Sequence, residues 1–380
     1  MHTTRNQENL SPTETFDHLF DFEDRNELCD VYDSLLDSKR FNWTTHLDLR
    51  KRLGSGGQGV VYYSEQKGAD DFTHPVAIKI FSPERFEASL DYYHAMKRIA
   101  KITSAVARIQ HDNLIGIQNF IERDGIRLLV MEWVDGIDLR KLLHPILLEQ
   151  TQHRVSQKRW KYINEVIATS GHNQNRIKPG IAVTIIRECL AALAALHREG
   201  IIHGDIKPAN IMLKRTGTVK IIDLGSAYEL NDPPQRRACT PTYAAPEVIN
   251  GNASTSRSDL ASLGYVLVEL LAGQPIFPRK ATFDQLLEAK QSLPDRLPEL
   301  LPVDVMRNEL LFNFCRRMIA PDPDQRFPSA EDAELKKDGA AAFLRQLIKG
   351  DLASEYDNEI RVWLDEICEM WEENLEELNP

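Results

Sequence analysis

The sequence predicts an α+β chain in two parts, on three observations. Strand-like runs crowd residues 46–134, with one helical stretch among them. After residue 180, apolar positions at helical spacing dominate. Between the apolar runs Ile201–Ile202 and Ile211–Leu213 lies a polar loop carrying Asp205, Lys207 and Asn210. The 380 residues leave room for one large bilobal domain or two ordinary ones, with ample core.

Hydrophobic content of 42% and charged content of 27% suit a soluble globular chain. No run reaches 18 apolar residues, so no membrane span is expected, and a polar, acidic start argues against export. The five scattered cysteines lack metal-ligand spacing and read as reduced thiols, so a cytoplasmic protein is expected. Net charge is −11, unevenly spread. Residues 1–45 hold ten acidic and four basic side chains, and residues 351–380 hold eleven and one. The middle is therefore mildly basic, which gives no support to nucleic-acid binding.

In chain order, residues 1–45 form an acidic extension, polar and aperiodic at first and then near-helical across Phe16–Leu36. His46–Leu53 alternates as a strand and leads into Gly54-Ser55-Gly56-Gly57-Gln58-Gly59-Val60-Val61. Glycines there allow a tight hairpin whose N–H groups approach phosphate closely. This run continues into a second strand, whereas a dinucleotide-binding turn runs into a helix. Val76–Phe81 reads as a buried strand with Lys79 inside it, costly unless paired with an anion or snorkelling from an edge. Glu84–Ile109 looks helical. Leu114–Ile121 and Ile126–Glu132 form two strands joined by Arg123-Asp124-Gly125, a hairpin signal.

Residues 144–178 make a long connection, and residues 151–180 hold six basic side chains against Glu165 alone. A solvated helical insertion is one reading; a docking site for an acidic partner, or for the chain's own acidic tail, is the other. Ile181–His197 has the spacing of a buried helix. Thirteen residues beyond Asn210 stands Asp223-Leu224-Gly225, behind another β-branched run. Two acids and an amide at strand ends suit holding Mg²⁺ and steering a hydroxyl onto a phosphate. The tail, residues 351–380, places Ile360, Trp363, Leu364, Ile367 and Trp371 at helical spacing among glutamates, an acidic amphipathic helix.

Taken together, the glycine run, Lys79, the Asp205–Asn210 loop and Asp223-Leu224-Gly225 resemble the motifs of the protein kinase family, over roughly residues 46–335. The resemblance implies a bilobal fold: a small antiparallel-sheet lobe with one main helix over 46–134, and a larger, mainly helical lobe over 135–335. Residues 336–380 would then be a C-terminal helical extension. It implies Asp205 as the catalytic base, Lys207 as a charge screen, and Asn210 and Asp223 as Mg²⁺ ligands. ATP would lie against Gly54, Gly56, Gly59, Val61 and Ala77, with Lys79 on its phosphates. Met131 would be the gatekeeper, the backbone of Glu132 and Val134 would face adenine, and Asp138 would reach ribose or a substrate cation.

Asp-Ile-Lys-Pro-Ala-Asn resembles the serine/threonine form of the loop, and Cys239–Glu247 the substrate-facing segment, with Cys239 where glycine is usual. Thr240 is expected to bond Asp205 and Lys207, Glu247 to pair with Arg326, Asp259 to anchor the catalytic loop or cap its helix, and His203 to brace the loop. Two departures stand out. Kinases hold the strand lysine with a helix glutamate, and here only Glu87 or Asp91 is available, Glu87 being favoured. The usual arginine before the catalytic aspartate is Gly204, and Tyr228 is the only hydroxyl between Ala227 and Cys239. The absent arginine and hydroxyls together point to a serine/threonine kinase that does not depend on phosphorylation of that segment. The alternatives are a nucleotide-binding pseudokinase and a small-molecule kinase.

Overall fold

The computed structural model describes residues 48–234, 239–278, 280–349 and 356–374. The acidic extension over 1–45, with its helices across Phe16–Leu36, lies outside the described residues.

Five antiparallel strands build the small lobe: β1 (Lys51–Gly56), β2 (Gly59–Lys67), β3 (Thr73–Phe81), β4 (Ile117–Arg123) and β5 (Ile126–Glu132), in the order β1-β2-β3-β5-β4. Gly57 and Gln58 alone join β1 to β2, so the glycine run forms a tight hairpin tip. Asp124 and Gly125 both take positive φ, the turn that matches strand twist. Lys79 sits on β3 opposite Val61 on β2 and Leu129 on β5, in the middle of the sheet. The one main helix, α1 (Ser89–Val106), turns Tyr92, Ala95, Met96, Ile99, Ile102, Thr103 and Val106 inward. It begins later than the expected Glu84, so Glu87 precedes it.

Next, β6 (Gly136–Asp138) leads into α2 (Leu139–Leu142), and the expected helical insertion is only partly helical. After α3 (Ile146–Arg154) and α4 (Gln157–Tyr162) comes a π-turn and a hairpin, β7 (Ala168–Ser170) with β8 (Asn175–Ile177). Leu147, Leu148, Ile163 and Ile167 are buried, and the Asn175 amide donates to the Leu142 and His144 carbonyls. Those apolar side chains belong to the main hydrophobic core, in one cluster with Ile181 and Leu190, so the insertion is not simply solvated.

The large lobe forms around α5 (Pro179–Arg198), buried along most of its length. By length and composition α5 could cross a bilayer, but its apolar surface is taken up by the core. After it come β9 (Ile201–Ile202), β10 (Ile211–Lys214), β11 (Val219–Ile221) and β12 (Tyr228–Glu229). β10 pairs with both β11 and β6, which holds the Asp205 loop and Asp223 at one end of a small sheet. The remaining helices are α6 (Pro246–Ile249), α7 (Ser256–Ala272), α8 (Phe283–Leu300), α9 (Val303–Met306), α10 (Glu309–Met318), α11 (Ala330–Leu335) and α12 (Ala340–Lys349).

The tail helix, α13, spans Tyr356–Asn374, within the expected 351–380; the flanking stretches lie outside the described residues. Ile360, Trp363, Leu364 and Ile367 are wholly buried, and α13 packs on α3, α5 and β6. Arg159 of the insertion meets two tail acids, Glu366 at 2.8 and 3.1 Å and Glu359 at 3.4 Å.

Candidate active site

The loop between β9 and β10 is held from below by Asp259 on α7. Its carboxylate accepts the His203 and Gly204 N–H groups, both at 2.9 Å, and lies 2.9 Å from His197 Nε2. Burial pushes this carboxyl up, yet His197, His203 and the Gly204 N–H outweigh it and hold it below the usual range. Asp259 is not the helix cap: Thr255 and Ser258 form the capping box. His203 braces the loop, its ring 3.2 Å from the Ile222 carbonyl and accepting from Asp205 N at 3.3 Å.

Above that base, four donors converge on the Asp205 carboxylate. Oδ1 accepts from Thr240 N at 3.1 Å and Thr240 Oγ1 at 2.7 Å. Oδ2 accepts from Lys207 Nζ at 2.7 Å and Asn210 Nδ2 at 3.2 Å. Lys207 also donates to Thr240 Oγ1 at 2.9 Å, so the expected Thr240 contacts with both residues are present. Asn210 is tied by its carbonyl to Ile222 N at 2.9 Å, next to Asp223.

Across the cleft, Lys79 Nζ donates to Asp223 Oδ1 at 2.5 Å. Asp223 has left-handed backbone (φ 62), which suits Asp better than most residues, and its side chain accepts Gly225 N at 3.0 Å. Burial pushes this carboxyl up, but the Lys79 ammonium and the Gly225 N–H prevail and lower it to about 2. The helix glutamate expected for Lys79 is not there. Glu87 and Asp91 are both exposed, and the second partner of Lys79 is the Gln58 side chain, at 2.7 Å. The inward face of α1 bears no carboxylate, so it offers nothing to an ammonium.

The residues expected to meet nucleotide, metal or the reacting hydroxyl line this one cleft: Gly54, Gly56, Gly59, Val61, Ala77, Lys79, Met131, Glu132, Val134, Asp138, Asp205, Lys207, Asn210 and Asp223. At the strand connection, Glu132 turns its side chain to Lys220 (2.5 Å) and Gly116 N (2.6 Å). Among the described residues nothing takes the Val134 N–H or C=O. Asp138 caps α2, accepting from Lys141 N at 3.0 Å, and burial pushes its carboxyl up despite the cations nearby.

The segment over residues 239–247 depends on residues that the sequence did not single out. Tyr243 donates to Glu269 Oε2 at 2.6 Å, and Lys290 Nζ donates to the Thr242 carbonyl at 2.6 Å. Lys290 shares the inward face of α8 with Leu286, Leu293 and Leu297, over the rings of Tyr265 and Phe277. A lysine in an apolar helical stripe was the signal that could have found it.

The comparisons agree with this geometry. A family model described as "Protein kinase domain" matches residues 47–336. The chain is similar to a probable serine/threonine-protein kinase PknB of Lactococcus lactis, 28% identical over 286 residues, covering 74% of this chain and 40% of the relative. It is 28% identical to serine/threonine-protein kinase PrkC of Bacillus subtilis over 289 residues, covering 74% and 38%. Serine/threonine-protein kinase PkaA of Streptomyces coelicolor is also 28% identical, over 299 residues, covering 75% and 48%. The chain thus spans less than half the length of each of these relatives. With the family's domain matched across most of its length and the motif residues gathered in one cleft, this chain belongs to the protein kinase family.

Proposed function

We propose that this chain transfers the γ-phosphate of Mg-ATP to serine or threonine hydroxyls of protein substrates. The observation that carries the reading is the Asp205 carboxylate, fixed by Thr240, Lys207 and Asn210 and facing the same cleft as the Lys79–Asp223 pair. Phosphoryl transfer requires positioning and charge neutralisation rather than covalent catalysis, and these groups supply both.

The residues present fit Mg²⁺ and ATP. A carboxyl lowered to about 2 keeps Asp223 charged for a hard cation, and Asn210 adds an oxygen nearby. Lys79 has three N–H donors and uses two, leaving one for phosphate. Among the described residues nothing uses the Val134 backbone donor and acceptor, the pair that an adenine edge needs. A Cβ at Gly54 or Gly56 would meet nothing, so those glycines keep the hairpin bare on its own account. When bound, the metal offsets phosphate charge. Asp205 orients the substrate hydroxyl and takes its proton, while Lys207 screens the charge that builds on the transferring group.

Residues 239–247 favour a protein substrate over a small molecule, and the names of the three relatives favour Ser/Thr. Independence from phosphorylation of residues 227–239 is part of the reading. Tyr228 is buried and bonded to the Ser254 carbonyl at 2.9 Å, out of reach of a kinase. Gly204 takes φ +74, and a Cβ there would lie 3.1 Å from the Ser226 carbonyl, so the backbone itself disfavours arginine.

The test is phosphate transfer from labelled Mg-ATP to the chain itself and to generic basic proteins, beside Asp205→Asn. Transfer lost in the variant supports the kinase; tight ATP binding without transfer in the wild type supports the pseudokinase.

A further inference from the structure

The glycine hairpin is tied to the cleft by one side chain. Gln58 Oε1 accepts from Lys79 Nζ at 2.7 Å, and Gln58 Nε2 donates to Ser226 Oγ at 3.1 Å. The amide lies against Gly225, where an added Cβ would come 1.8 Å from Oε1. Three elements therefore meet at one amide: the hairpin tip, the strand lysine and the loop that carries Asp223.

Lys79 has its ammonium in a 6% exposed site. Such a group needs its donors satisfied and its direction fixed. Asp223 supplies charge, and α1 supplies nothing, since its single acid is the exposed Asp91. The Gln58 oxygen takes one N–H of the ammonium and fixes its direction, while the charge pairing is left to Asp223. Its second bond, to Ser226, fixes the amide's own orientation: oxygen to lysine, nitrogen to hydroxyl.

We propose that Gln58 is a positioning residue that stands in for the missing helix carboxylate, aligning Lys79 for the phosphates and fastening the glycine hairpin to the Asp223 loop. The inference rests on the nucleotide reading above. It makes the hairpin, and not α1, the element whose placement controls Lys79.

The experiment uses the full chain as wild type, Gln58→Met, Gln58→Glu and Asp205→Asn. Methionine keeps the length and removes the strong acceptor; glutamate keeps an acceptor for Lys79. Three readouts are taken: kcat and both KM values, affinity for a fluorescent ADP analogue, and amide hydrogen exchange at residues 54–59 without nucleotide. Gln58→Met is expected to lower kcat about tenfold or more, the loss of one hydrogen bond to a charged group. It should leave KM for protein substrate within about twofold and speed exchange at 54–59. Gln58→Glu is expected to keep kcat within about threefold of wild type.

The proposal is overturned if Gln58→Met matches wild type in kcat and exchange, or if both variants are equally impaired. It is also overturned if Gln58→Met binds the ADP analogue more tightly, since the amide then blocks the phosphates. Wild-type transfer that vanishes in Asp205→Asn keeps the kinase reading whatever Gln58 does. If wild type transfers nothing, that reading fails by itself, and exchange and ADP affinity still decide whether the tether exists.

Discussion

Arg326 grips Glu247 with both ends of its guanidinium, Nη1 to Oε1 at 2.7 Å and Nη2 to Oε2 at 2.8 Å. The Arg326 side chain is wholly buried, and its other donors reach the Ala320, Arg257 and Pro321 carbonyls. The pair ties Glu247, at the end of the segment over residues 239–247, to the chain that follows α10, as a planar cation can and a point charge cannot. Glu247→Gln leaves a buried guanidinium unbalanced and is expected to cost about 3–5 kcal/mol in chemical denaturation.

The same pairing has a pH signature. Burial pushes the Glu247 carboxyl up, but Arg326 and Ser258 overcome it and hold it below its ordinary 4.5. Asp223 and Asp259 likewise fall below 3.8, Asp223 to about 2. Groups with lowered folded values stabilise fully above the unfolded carboxylate range and lose that contribution as pH falls through the folded values. Denaturation midpoints should therefore be flat from neutral pH down to about 5 and decline steadily toward 2. In Glu247→Gln the decline should be shallower.

Thr240 joins the Asp205 loop to the segment over residues 239–247 with three hydrogen bonds, two to Asp205 and one from Lys207. Thr240→Val keeps the shape and removes the hydroxyl, leaving Asp205 and Lys207 each one partner short. It should lower kcat by about 10–100-fold with little change in KM for ATP, and Thr240→Ser should recover most of the loss. Steady-state kinetics with a protein substrate checks this.

Burial pushes the Lys290 ammonium down to about 7, while the rings of Tyr265 and Phe277 and the Thr242 carbonyl favour its charge. Rising pH through that value removes the proton from the folded protein and weakens the bond to Thr242. KM for protein substrate should then climb between about pH 6.5 and 8 in wild type. In Lys290→Met it should be high throughout and independent of pH, with KM for ATP unchanged in both.

Phosphatase-treated protein should transfer phosphate at the untreated rate, because Tyr228 is buried and Gly204 leaves no arginine to receive a phosphate. Gly204→Arg should not install such control. It places a bulky residue in left-handed backbone, expected to cost about 1–2 kcal/mol in denaturation.

Truncation after Gly350 removes Ile360, Trp363, Leu364 and Ile367, all buried against the large lobe. The shortened chain should be insoluble or melt well below wild type, and Trp363→Ala alone should cost about 3–5 kcal/mol. A soluble, more active truncation would instead make α13 an autoinhibitory element.

Much of this was legible in the residues themselves. A glycine run between strands, a lysine inside an apolar strand, and an acid–lysine–amide loop followed by a second acid each carry local chemistry at fixed spacing. Local geometry alone restricts what such stretches can do, so α+β class and the membership of the cleft followed from them. The partners of buried charges did not. Lys79 answers to Gln58, 21 positions away, and to Asp223, 144 positions away. The sequence expectation of Glu87 went wrong because helix phase and start point decide which side chains face inward. Lys290 and Glu269 belong to no local motif, and only the fold brings Thr242 and Tyr243 to them. Local spacing determines which groups are available, whereas burial leaves each charge to be satisfied by whatever the packed chain brings within about 3 Å.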